Sequence, residues 1–276
     1  MRRLGSSPFA FPDFRGATRQ LVLVNLVAYF VLLLVQIAFR DAANAIVGGL
    51  TFQPWDFLHG SLWQPFTYSF IHVGIHVGIL ETLFELLSLW FLAGFLETYH
   101  NANWIYGLYA ISVLGTAVAG LVIFLLGDTL RWSIAPIPLY GCFGGIFGML
   151  AAIGMLYGDV EFLLFFAIGI KAKYMAIIFA LIAVAMLFGS EKMYAFAQLG
   201  GAAVGLLYAK SAPRKGMNFT FSERWYGLRN RYYRWKRRRA ARKFEVYMRS
   251  QGRTVRFDGQ GRVIHEDDAD DKKKWN

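Results

Sequence analysis

Two glutamates, Glu81 and Glu85, stand four residues apart inside the apolar run 77–96. At helical spacing they share one face. A carboxylate at the centre of a membrane helix costs roughly 2.5–3.5 kcal/mol, so such a pair is expected to face protein and to serve a purpose. Three purposes fit. The pair could bind a proton or cation, or anchor a polar cluster with Gln198 of a later apolar run, or join His72 or His76 at a metal ion. These four groups match no recognised ligand spacing, so the expectation is no metal and no cofactor. Cys142 is the sole cysteine. A reactive thiolate needs a base or a positive neighbour, and none of the apolar runs holds a His, Lys or Arg. It reads as a small buried hydrophobe.

The elements that must position these residues are helices in a bilayer. The chain has 276 residues, 56% of them hydrophobic and 17% charged, below the roughly 25% of soluble domains. Six apolar segments follow one another: 21–39, 77–96, 104–126, 139–157, 174–189 and 193–209. Most approach the ~20 residues that cross a bilayer, and none alternates as a barrel strand does. The fold class is therefore all-α, a polytopic membrane bundle, and the first segment is too long for a signal peptide.

Three parts are expected: an N-terminal segment 1–20, a six-helix domain 21–209 and a basic tail 210–276. The tail holds 20 of the 29 Lys and Arg residues. Arg2, Arg3, Arg15 and Arg19, with Lys171 and Lys173, lie on the same side of the span order as the tail. The positive-inside rule then puts both termini in the cytoplasm. Within the tail, Trp225, Leu228, Tyr232 and Trp235 fall at helical spacing among basic residues, which suits an interfacial helix on anionic lipid. Membrane lipids are the expected partner and nucleic acid is not. Residues 253–265 suggest a hairpin, and the charged end beyond it suggests disorder.

The connection 40–76 carries Phe52, Trp55, Trp63, Phe66 and Phe70, and its composition suits a segment lying partly in the membrane interface. Gly141, Gly144, Gly145 and Gly148, like Gly201 and Gly205, place small residues one turn apart. Such stripes let helices four and six approach closely in lipid.

Several of these segments resemble the rhomboid family of intramembrane serine proteases. Trp63-Gln64-Pro65-Phe66-Thr67-Tyr68-Ser69-Phe70-Ile71-His72 resembles its Trp-Arg loop, and Glu85-Leu86-Leu87-Ser88-Leu89-Trp90 through Gly94 and Glu97 its second helix. Gly141-Cys142-Phe143-Gly144 is similar to its Gly-x-Ser-Gly, and Ala197-Gln198-Leu199-Gly200-Gly201 to its Ala-His-Leu-Gly-Gly. Residues 165–174 resemble the lead-in to its fifth helix.

The resemblance implies a six-span bundle in which a serine attacks the peptide carbonyl and a histidine accepts its proton. A histidine and an asparagine on the second span help hold the oxyanion. Carried over, those positions are Phe143, Gln198, Glu81 and Glu85, with His76 at the family's spacing after a four-residue insertion. A phenyl ring cannot attack and a carboxamide cannot act as base. The expectation is a pseudoprotease, without a catalytic residue, that binds transmembrane segments of client proteins, with Glu81, Glu85, Gln198, Cys142 and His76 as binding candidates. Two alternatives stay open: a peptidase with a nucleophile outside the family pattern, such as Cys142, and a proton- or cation-linked function centred on Glu81 and Glu85.

Overall fold

The computed structural model describes residues 12–72, 79–129, 137–164, 168–189, 191–211 and part of 230–252. Six long helices match the six apolar segments: α1 (Gly16–Ala38), α5 (Ile79–Glu97), α6 (Ala102–Thr129), α7 (Phe143–Leu156), α8 (Ala172–Met186) and α9 (Lys192–Ser211). The connection between α1 and α5 carries three short ones, α2 (Arg40–Leu50), α3 (Pro54–Leu58) and α4 (Gln64–Thr67). Among the described residues three helices, α1, α5 and α6 through Gly127, are long and apolar enough to cross a membrane, and α7 and α8 are apolar but shorter. Of the six long helices α9 is the least apolar, carrying Gln198, a glycine stripe and a lysine at each end. Large apolar side chains on α1, α5 and α8 face outward (Val27, Leu34, Leu80, Leu83, Leu181 and Ile182), as in a bundle whose solvent is lipid.

The centre of the bundle is α6, α7 and α9. Glycines set their spacing. A carbon added to Gly205 would lie 2.6 Å from the Cα of Gly148, so the two backbones touch there. Gly144 and Gly145 lie against Thr116 and Tyr109 of α6, and Gly201 lies against Thr116 and the carbonyl of Gly144. The expected contact between the fourth and sixth spans is present. Gly141 has a different role. It precedes α7, with φ +80°, and its N–H donates to the carbonyls of Ile71 (2.9 Å) and Tyr68 (3.1 Å). Only glycine adopts that turn readily.

The long connection is anchored through two of its aromatics. Phe52 pairs with Leu139 in an isolated antiparallel bridge, and Tyr68 donates its hydroxyl to Val113 O at 2.8 Å. Both rings are buried, while Trp55, Trp63 and Phe66 are exposed.

Between α7 and α8 the chain forms a hairpin that the sequence reading does not contain, β1 (Glu161–Leu164) with β2 (Ile168–Lys171), antiparallel with Glu161 opposite Lys171. Phe162 is buried against Phe91 and Phe95. The fold is otherwise all-α.

Residues 218–276 form a second compact unit. Within it 232–236 are helical, with Tyr232, Tyr233 and Trp235 exposed and Arg239 over the Trp235 ring. Trp225, Leu228 and the suggested hairpin 253–265 lie outside the described residues.

Candidate functional site

The start of α7 is where the candidates gather. Cys142 is its N-cap residue and Phe143 its first helical residue, placed there by the Gly141 turn. Facing Phe143 from α9 are Tyr194 and Gln198, one turn apart. Tyr68, Thr116, Tyr140 and Gly144 complete a cavity of about 10 Å³. The Phe143 and Tyr194 rings meet edge to face, 6.2 Å between centroids. So little space holds barely one water. The helix-four and helix-six positions singled out in the sequence therefore do meet, but across packed aromatic rings.

On the other side of Cys142 lies a second polar group. Glu85 is buried on α5, and its Oε2 is 3.1 Å from His72 Nδ1. His72 Nε2 is 3.2 Å from Asn25 Oδ1, and Asn25 Nδ2 donates to Leu21 O at 2.8 Å. His72 is only 4% exposed. Absence of histidine from the apolar runs thus does not keep histidine out of the bundle. His72, at the end of the described stretch 12–72, lies beside Glu85. Sequence reasoning favoured His76 by spacing, and His76 lies outside the described residues. Asn25 was missed altogether. A single asparagine in the apolar first span was the available signal.

The glutamate pair separates. Glu85 points inward and Glu81 is exposed, and among the described residues no hydrogen bond joins either to Gln198. The expected cluster of Glu81, Glu85 and Gln198 is thus replaced by two sites on either side of Cys142. Neighbours at the start of a helix point roughly 100° apart, which is how Cys142 faces Glu85 while Phe143 faces Gln198.

Cys142 is fully buried. Its sulfur, a Glu85 oxygen and a His72 ring nitrogen lie within 4.8 Å of one another. A cysteine and a histidine are therefore close in space, contrary to the expectation from the spans. Both His72 nitrogens, however, already face Glu85 and Asn25. Neither is hydrogen-bonded to the Cys142 sulfur.

A family model described as Rhomboid domain matches residues 59–214, more than half of the chain. The protein belongs to the rhomboid family. The match runs from just after α3 through α9, covering Trp63, the α7 turn and Gln198, and leaves α1 with Asn25 outside it. No curated protein matches the chain. With its apolar helices, this rhomboid is an integral membrane protein.

Proposed function

We propose that this rhomboid is a pseudoprotease, a membrane scaffold that binds transmembrane segments of client proteins without cutting them. The observation that carries the reading is the Phe143–Gln198 cavity. The two positions at which the family resemblance calls for nucleophile and base face one cavity of about 10 Å³, filled by a phenyl ring and a carboxamide. Neither group supplies an attacking oxygen or accepts a proton near neutral pH. A cysteine mechanism finds little support, because Cys142 is buried and the nearby imidazole faces Glu85 and Asn25 rather than the thiol. A transport function built on Glu81 and Glu85 as a pair also loses ground, since one faces out and the other in.

What remains suited to a helical client is the outer face of α5, with Leu80, Leu83, Phe84 and Leu87 exposed beside Glu81. An unwound client backbone would find a hydrogen-bonding partner in the Glu81 carboxyl, where lipid offers none. In this reading both termini are cytoplasmic, and the basic tail lies on anionic lipid.

Photo-crosslinkers at Glu81 and at Leu34, on the lipid face of α1, test client binding in cells. Membrane-protein adducts specific to position 81 are the expected result. Equal capture at both positions, or none at 81, would contradict it.

A further inference from the structure

The group around Glu85 carries an inference beyond client binding. We propose that His72, Glu85 and Cys142 form a transition-metal site, best matched to zinc, that ties the end of the 40–72 stretch to α5 and to the start of α7.

The donor set comes first. One imidazole, one carboxylate and one thiolate are the three ligand types zinc takes, and their atoms already lie within 4.8 Å of one another. Nitrogen and oxygen ligands at zinc bond lengths stand about 3.3 Å apart in a tetrahedron. The His72 Nδ1–Glu85 Oε2 separation is 3.1 Å. Only the sulfur must close in, to roughly 3.6 Å from its neighbours.

The surroundings fix which nitrogen faces the site. Asn25 gives its amide hydrogen to Leu21 O, which leaves Oδ1 as the acceptor toward His72. His72 Nε2 therefore carries the hydrogen that Oδ1 receives. The neutral ring then presents a lone pair at Nδ1 to a carboxylate oxygen that also carries lone pairs. Two acceptors 3.1 Å apart need a proton or a cation between them. An oriented imidazole whose far N–H is held by a polar partner is how metal-binding histidines are set.

A second observation points the same way. Among the described residues, Glu85 Oε1 is buried without a hydrogen-bond partner, and so is the Tyr29 hydroxyl. Tyr29, Gln36, Asn44 and His72 line a cavity of about 50 Å³ that ends on the imidazole. It exceeds the roughly 10–15 Å³ one water needs. Water held there would meet His72, the one ligand of the three that lines this cavity. Charge balances as well: a divalent cation against one carboxylate and one thiolate is neutral, which suits a buried site. Binding releases the thiol proton to solvent.

The test uses the full-length protein in lipid nanodiscs, stripped with chelator and titrated with cobalt(II), then zinc. Expected are one cobalt per chain, a near-ultraviolet thiolate-to-cobalt band, and displacement of that band by zinc. Cys142→Ala should abolish the band, and Glu85→Gln should weaken binding by at least ~100-fold. Asn25→Ala should keep the band while weakening binding about 10–100-fold, as loss of an orienting partner does. Glu81→Gln should change neither. Each variant is scored only with helical content matching wild type, and Cys142→Ser serves if Cys142→Ala unfolds. With one cysteine in the chain, the band reports on Cys142 alone. Wild-type protein that takes up no stoichiometric cobalt, or takes it up without a thiolate band, would overturn the proposal. So would a Glu85→Gln affinity within about 3-fold of wild type. None of these outcomes bears on client capture at Glu81.

Discussion

Glu97 closes the start of α1 from the end of another helix. Its carboxylate accepts from the N–H groups of Ala17 (2.8 Å) and Thr18 (3.0 Å) and from the Thr18 hydroxyl (2.6 Å). The residue before α1, Arg15, makes no side-chain cap of its own, so Glu97 satisfies donors the helix leaves open and meets its positive end. Glu97→Ala should destabilise the protein by about 1–3 kcal/mol in denaturant titration in micelles, and Glu97→Gln by less. Equal stability of Glu97→Ala and wild type would contradict this capping role. Residue types told part of the site in advance. Phe143 and Gln198 were legible because a motif fixes their places on two helices. The partners of Glu85 were not, because His72 comes from the connection between the first two spans and Asn25 from the first span. Neither follows from spacing along one helix.

Helices were legible from apolar runs, and their contacts from glycine spacing, because a bilayer leaves the backbone few other options. Where α7 and α9 touch at Gly148 and Gly205, a side chain has no room. Gly205→Leu should cost about 3 kcal/mol or more, the upper end for overpacking, read as loss of thermal stability in micelles. A change under about 1 kcal/mol would contradict backbone contact there. The α7–α8 hairpin was not legible. Its strands are four residues each, and they form where Phe162 can bury against Phe91 and Phe95. The turn beside it makes a pH prediction. Lys173 donates to Asp159 at 2.8 Å and holds this exposed carboxyl below its usual range, with Lys171 adding a weaker attraction. A carboxyl lowered in the folded state contributes stability above its unfolded pKa and loses it as pH falls through the folded one. Wild-type melting temperature should therefore fall more steeply than that of Asp159→Asn below about pH 4. Parallel curves would contradict the pairing.

At the scale of the whole molecule, charge predicts how the bundle sits. The basic N-terminal segment, Lys171 with Lys173, and the tail with its 20 basic residues share one side of the span order. Reporters fused to either end should both read cytoplasmic. A reporter on the far side at either end would contradict the topology. The rhomboid fold itself says nothing certain about proteolysis, since fold and chemistry are separable. The question rests on two positions in one small cavity. The most direct measurement is cleavage of a rhomboid-type transmembrane substrate in proteoliposomes by wild type, Cys142→Ala and the double variant Phe143→Ser/Gln198→His. The account predicts no cleavage by wild type or Cys142→Ala, and any activity that appears should belong to the double variant alone. Cleavage by wild type, above all cleavage that disappears in Cys142→Ala, would contradict it.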